Sequence, residues 1–232
     1  MMILRSGDSL AEVVPERGAI CSRLRLGGSE VLHLDPATLA DPSKNVRGGI
    51  PVLFPIAGKP PGDSALKQHG FARNLPWEPL QAGESRLECR LAAGGFEVLL
   101  VFTLEPDVLR LEATVHGEEP FQLGFHPYFL VRDKSKARVE TKAARAYDNR
   151  TGADVALVQD FTRGELDLHI HDHRESGTVL HRPPDPPIIL RWSPDFRTMV
   201  LWTLPEKPFI CVEPWTPRWL HAPVSLSFEI GS

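Results

Sequence analysis

Proline and glycine interrupt this chain so regularly that strands and loops are favoured over long helices. There are 22 prolines and 18 glycines among 232 residues, spread along the whole length and not gathered into one linker. Such punctuation favours short strands joined by turns. The segments between these breaks agree with that reading. Phe96–Leu104 (FEVLLVFTL), Val108–Val115 (VLRLEATV), Ile188–Trp192, Thr198–Thr203 and Ser225–Ile230 are rich in β-branched and aromatic residues. In VLRLEATV apolar and polar residues alternate with the period of a half-buried strand. No sustained helical period occurs, and Leu34–Leu39 is the one stretch suited to a short helical turn. The Pro-rich run His181–Pro187 (HRPPDPP) reads as a long loop between strands. With no fixed-period repeat to suggest a propeller or solenoid, the expectation is an all-β fold. It would be one domain over residues 1–232, a large, mainly antiparallel β-sandwich.

The bulk chemistry narrows the function. A formal net charge of −4 argues against nucleic acid or an anionic membrane as the main partner. The opening residues MMILRSGDSL lack the apolar stretch of a signal peptide, and no segment has the length of apolar run that a membrane span needs. Three scattered cysteines, Cys21, Cys89 and Cys211, suit neither a disulfide framework nor a CxxC site. A reduced, cytoplasmic protein is expected.

Four segments carry more polar and irregular chemistry than a scaffold needs: Asn45–Gly58 (NVRGGIPVLFPIAG), Gln68–Trp77 (QHGFARNLPW), Phe121–Phe129 (FQLGFHPYF) and Phe209–Thr216 (FICVEPWT). Strand alternation makes the last two informative. Ile210 and Val212 fall on one face, and Phe209, Cys211 and Glu213 on the other. Likewise Leu123 and Phe125 oppose Gln122, Gly124, His126 and Tyr128. The apolar faces can pack a core while the other faces present a histidine and a glutamate to a cleft. Pro127 and Pro214 each follow a candidate residue and cannot donate to a ladder, so pairing should be disturbed at both. Each residue also has a plain structural reading. A histidine beside aromatics is often a satisfied core group, and Arg47 and Arg73 are ordinary surface or ion-pair residues.

Taken in order, RGGIPVLFP, HGFARNLPW, FHPYF and VEPW resemble the aldose 1-epimerase (galactose mutarotase-like) family, nearest its hexose-phosphate mutarotase-like and related bacterial branches. The resemblance runs from about Asn45 to Trp215. It implies a β-sandwich whose concave sheet holds a sugar, with His126 as general acid and Glu213 as general base. It further implies that His69 and Arg47 contact the sugar, and that Asp167 in ELDLHIHD holds sugar hydroxyls. At 232 residues the chain is shorter than most of that family, so some edge strands or loops are expected to be missing.

The implied reaction interconverts α and β anomers of an aldose or hexose 6-phosphate. It needs a proton taken from the anomeric hydroxyl and another given to the ring oxygen. A carboxylate and an imidazolium on opposite sides of the hemiacetal would supply both with no metal and no cofactor. Their mutual attraction is expected to favour the charged pair. Trp215 lies on the Glu213 face and can stack on the sugar. Arg47 and Arg73, with Lys59 and Lys67 nearby in sequence, would suit an anionic substrate in an acidic protein. The residues leave free aldose and phosphorylated hexose equally open. Two other readings also stay open. His169, His171 and His173, alternating onto one face with Glu175 following, resemble half of a cupin metal site. A non-catalytic carbohydrate-binding β-sandwich would use the same aromatic surfaces.

Overall fold

The computed structural model describes residues 1–62 and 64–232. Three antiparallel sheets account for nearly all its regular structure. Met2–Ser6, Ser9–Val14, Ile20–Leu26 and Ser29–Glu30 form a four-stranded meander at the start of the chain. Behind it lie two eight-stranded sheets. One runs in the spatial order Arg138–Val139, Gly177–Arg182, Asp185–Trp192, Val224–Gly231, Val108–Gly117, Phe96–Leu104, Arg86–Ala93, Glu78–Ala82. The other runs Ala153–Ala156, Arg145–Asp148, Leu166–His171, Thr198–Thr203, Phe209–Trp215, Gly124–Phe125, Val52–Leu53, with Tyr128–Leu130 also paired to Phe209–Trp215. Among the described residues no helix is long and apolar enough to cross a membrane.

The strands form where apolar side chains recur every second residue. Along Phe96–Leu104 the buried positions are Phe96, Val98, Leu100, Phe102 and Leu104, and on Val108–Gly117 they are Leu109, Leu111, Ala113 and Val115. These side chains meet Phe125, Leu168, Ile170, Leu201, Ile210 and Val212 from the other eight-stranded sheet, with Leu123 just before it, in one contiguous core. Burying each such aliphatic or aromatic side chain contributes about 1.5–3 kcal/mol. A stacked aromatic group joins the layers, with the Phe125 ring 5.4 Å from Phe228 and 6.0 Å from Phe196 between centroids.

Two sequence expectations change in detail. The Pro-rich run is not a long loop, because Gly177–Arg182 and Asp185–Trp192 form a hairpin whose turn is Pro183–Pro184. Asp185 already pairs with Arg182, and Pro186 and Pro187 sit at the start of the strand, where a missing amide donor costs little. The expected disturbance appears at Pro127, which separates Gly124–Phe125 from Tyr128–Leu130, but Pro214 lies inside a continuous strand. On that side Phe209–Trp215 pairs with Tyr128 at Cys211 and with Gly124 at Trp215, so Pro214 falls in the gap between the two partners.

The short helix expected around Leu34–Leu39 forms as Pro36–Ala40, capped by the Asp35 carboxylate on the Ala37 amide. Its loop is gathered by one side chain. The Arg17 guanidinium donates to the carbonyls of Thr38, Leu39, Asp41, Pro42 and Lys44 at 3.0–3.4 Å. The same loop holds Arg47, whose amide donates to Thr38 Oγ1 at 2.9 Å and whose carbonyl accepts from the Asp35 amide at 2.8 Å.

Two outcomes test this packing. Phe125→Ala should lower unfolding free energy by about 3–5 kcal/mol in a urea titration, since the emptied site is walled by the Phe228 ring of the facing sheet and the Phe196 ring of a loop. A loss under about 1 kcal/mol would mean that the layers do not close over Phe125. Arg17→Ala should raise amide hydrogen exchange over residues 35–47 and leave the two large sheets protected. Unchanged exchange in that loop would contradict its organisation by Arg17.

Candidate active site

The outer face of the sheet centred on Phe209–Trp215 carries a cavity of about 870 Å³. Its floor follows from strand register. Val200 stands opposite Glu213 and His169, Thr198 opposite Trp215 and His171, and Trp202 opposite Cys211 and Asp167. All nine side chains have the same parity on their strands and face away from the core. Leu168, Ile170, Leu201, Ile210 and Val212, of the opposite parity, are core residues.

His126 reaches this floor from the break at Pro127, and Glu213 from the central strand. His126 Nδ1 and Glu213 Oε1 are 3.4 Å apart, with side chains 8% and 2% exposed. The two groups lie side by side, not facing each other across an open gap. Glu213 Oε2 accepts from Trp215 Nε1 at 3.1 Å, whereas His126 Nδ1 has no hydrogen-bond partner among the described residues. The imidazole is stacked on Tyr128 at 4.7 Å and meets the Trp202 ring edge-on at 5.5 Å.

Burial sets the charges. It pushes the Glu213 carboxyl well above the usual carboxylate range, and the nearby Asp167 charge adds to that. Burial also holds His126 well below the usual imidazole value, helped by His69, Arg73 and Arg47. The expected charged pair is therefore disfavoured in the free protein, because desolvation of two buried ions outweighs their attraction. Both shifts run toward a neutral carboxyl beside a neutral imidazole.

His69 completes this corner. Its Nδ1 pairs with the Ala57 carbonyl, leaving Nε2 as an acceptor 3.3 Å from Gln68 Nε2. Burial, followed by the Arg73 charge, lowers its pKa to about 4, so the ring is neutral at physiological pH. The His69 backbone is left-handed (φ 68°), an uncommon conformation for a residue with a side chain. Gly70 follows at φ 66°, where a Cβ would lie 2.1 Å from the Phe54 carbonyl oxygen, so only glycine lets the loop approach. The His69 ring thereby meets His126 at 5.7 Å and Trp215 at 6.0 Å. Gly124 has the same role under Trp215, whose Cδ1 would be 2.6 Å from an added Cβ.

Of the remaining candidates, Asp167 and Arg47 line the cavity and Arg73 does not. Asp167 accepts from Asn149 Nδ2 at 2.7 Å and pairs with His169 Nε2 at 2.9 Å. Burial raises its pKa, but these hydrogen bonds outweigh it and keep the group a carboxylate below the usual range. The Arg47 guanidinium sits over the Trp202 ring at 5.9 Å. Arg73 Nη2 donates to the Gln68 carbonyl at 3.1 Å, and its charge acts on His69, His126 and Glu213. Lys59 also lines the cavity, and Lys67 does not.

The cupin-like set is not assembled. His169 and His171 line the cavity, but Asp172 is left-handed (φ 52°), which ends the alternation after His171. His173 turns inward against Trp192 at 5.7 Å, and Glu175 accepts from Thr141 Oγ1 and the Lys142 amide. Several lining residues have no counterpart among the sequence candidates: Tyr147, Asn149, Val200 and Trp202. For Val200 and Trp202 the signal was parity within TMVLWT, legible only once that strand is placed beside VEPW, whereas Tyr147 and Asn149 come from the end of Arg145–Asp148, where residue type gave no such signal.

Comparisons with known proteins give the family. The aldose 1-epimerase family model matches residues 2–225. A protein from Cenchrus ciliaris named "Putative glucose-6-phosphate 1-epimerase" is 26% identical over 256 residues, covering 92% of this chain and 77% of that protein. One of the same name from Salmonella typhimurium is 27% identical over 222 residues, covering 81% and 73%. Among solved structures, the Slr1438 protein of Synechocystis sp. PCC 6803 superposes with a TM-score of 0.91 at 31% identity, over 99% of this chain and 94% of that one. A mutarotase-type protein of Salmonella typhimurium, YeaD, shares the fold with a TM-score of 0.85 at 22% identity over 99% and 88%. The chain belongs to the aldose 1-epimerase family, and it is an isomerase of the sugar-epimerase type.

Proposed function

We propose that this enzyme interconverts the anomers of a hexose, free or 6-phosphorylated, by acid–base opening and reclosing of the hemiacetal ring, with residues 1–232 acting as one domain. The observation that carries this reading is the 3.4 Å approach of His126 Nδ1 and Glu213 Oε1 at the floor of a cavity. The anomeric oxygen and the ring oxygen are bonded to the same carbon. An acid and a base that lie side by side can therefore reach both oxygens at once.

In the forward step Glu213 takes the proton from the anomeric hydroxyl as His126 delivers one to the ring oxygen, and the bond from that oxygen to the anomeric carbon breaks. Rotation about the adjacent carbon–carbon bond presents the other carbonyl face, and the two residues exchange roles on reclosure. One proton enters and one leaves, so the pair needs a single proton between them. The resting site favours that count, and sugar hydroxyls can redistribute the proton by solvating whichever group becomes charged. Asp167 and His69 are assigned to ring hydroxyls, Trp215 to the apolar face of the sugar and Arg47 to a peripheral oxygen. Fixing the ring this way supplies reacting geometry.

Two relatives bearing a glucose 6-phosphate name support the phosphorylated substrate. So do Arg47, Lys59, Arg150, Arg197 and Arg218 on a cavity that also carries Glu165, Asp167, Asp172 and Glu213, in a protein of net charge −4. Arg73, which does not line the cavity, is assigned to holding His69 neutral and the Gln68 loop in place.

Three measurements follow. Anomer exchange by NMR should fall about 10²–10⁴-fold in both His126→Ala and Glu213→Gln with the fold intact. Near-normal exchange in either variant removes that residue from the mechanism. For glucose, the acid limb of kcat/KM should lie below pH 6.5, the ordinary imidazole value, because His126 is lowered and Glu213 raised. The doubly protonated, inactive pair forms only below the depressed His126 pKa, so an acid limb centred at or above 6.5 contradicts the scheme. Arg47→Ala should cost glucose 6-phosphate more than glucose, by about the 1.5–3 kcal/mol of a charged hydrogen bond. Equal losses on the two sugars would restrict Arg47 to the ring and remove it as a phosphate contact.

A further inference from the structure

Cys211 is fully buried on the site face of the central strand, two residues before Glu213, and the acid–base scheme gives it no role. It packs with Tyr128 and Phe209. A buried cysteine is often only a small apolar filler. Here a second observation bears on it: one donor atom each from Cys211, His126 and Glu213 lies within 4.8 Å of the others. His126 Nδ1 has no hydrogen-bond partner among the described residues, so its lone pair or proton is not otherwise engaged.

The spacing suits a metal ion. Zinc binds imidazole nitrogen and carboxylate oxygen at about 2.0–2.2 Å, so two such atoms on one tetrahedral ion stand about 3.4 Å apart. His126 Nδ1 and Glu213 Oε1 already have that separation, 3.4 Å. A thiolate at about 2.3 Å from the same ion adds the soft ligand that selects zinc-like metals over magnesium or calcium. His126 and Glu213 line the cavity, so an ion can enter from it, and the fourth position would face the cavity and take water.

We propose that Cys211, His126 and Glu213 form an inhibitory site for a thiophilic divalent cation, such as Zn²⁺, which shuts the enzyme by occupying its acid–base pair. On binding, the metal–sulfur, metal–nitrogen and metal–oxygen bonds form without any change of oxidation state. The thiol proton, and the proton held by the pair, pass to solvent. The inhibition rests on the proposed roles of His126 and Glu213, but the binding does not.

The test uses Co²⁺ and Zn²⁺ as probes on the chelator-treated full chain. Co²⁺ should produce the near-ultraviolet thiolate-to-metal absorption and visible bands of a tetrahedral site, and Zn²⁺ should displace it at one ion per chain. Zn²⁺ should slow anomer exchange, with relief by chelator and competition by sugar. Cys211→Ala and Cys211→Val should keep exchange without metal, lose the thiolate absorption, and weaken Zn²⁺ inhibition by at least the roughly 10–100-fold that loss of even an outer-shell partner costs. Cys89→Ala, at a buried cysteine in the other sheet, should behave as wild type. Absence of thiolate absorption in the wild-type protein overturns the site, as does Zn²⁺ inhibition unchanged in both folded Cys211 variants. If anomer exchange is absent altogether while the absorption appears, the metal site stands and the epimerase reading fails.

Discussion

On the strand Phe209–Trp215, side chains alternate between the two faces of the sheet, and this constraint joins the core to the chemistry. Ile210 and Val212 are driven inward by the same apolar burial that holds the two large sheets together. Cys211, Glu213 and Trp215 are consequently fixed on the outer face. A one-residue slip would exchange the two sets, burying a carboxylate in the core and exposing Ile210 and Val212. The register that positions Glu213 is thus enforced by packing across the whole sandwich and needs no local device. The neighbouring strands obey the same rule, so His169, Val200 and Glu213 form a row without any loop having to place them.

His126 and His69 arrive differently, from irregular backbone. The Phe121–Phe129 segment is interrupted at Pro127, and the His69–Gly70 pair is left-handed. These irregularities carry two imidazoles over the regular floor, enclosing Glu213 until it is 2% exposed. The enclosure has an electrostatic consequence. Removing water disfavours both charged forms, so burial favours the carboxyl and the imidazole as a neutral pair. A pair poised this way can give and take protons with little net change of charge in the cavity.

Much of this was legible in the sequence because strand parity is a local property. Phe96–Leu104 and Thr198–Thr203 have the bounds read from residue type alone. The face assignments in FICVEPW and FQLGFHPYF also match the core and cavity sides of the sheet. What was not legible depends on neighbours in space. Pro214 looked like a ladder breaker, and only the pairing of two separate strands with Phe209–Trp215 shows the gap that accommodates it. Arg73 does not line the cavity, and its bond to the Gln68 carbonyl and its effect on His69 could be seen only in the folded chain. The three alternating histidines looked like one face until the left-handed Asp172 turned His173 away. The charged Glu213–His126 pair expected from residue type leaves out burial, which acts against both ions. Attraction between two residues can be inferred from their types, but the desolvation that outweighs it depends on everything packed around them.

The central claim is that His126 and Glu213 act as one proton-transfer unit, and a double-mutant cycle on anomer exchange tests it most directly. Groups that act together are strongly non-additive: once one is gone, removing the other costs little more. The rate in the folded double variant carrying His126→Ala and Glu213→Gln should therefore lie within about tenfold of the slower single variant, on the same non-additivity argument. Fully additive losses, with the double variant slower by the product of the two single effects, would show that the residues contribute independently and would contradict the account.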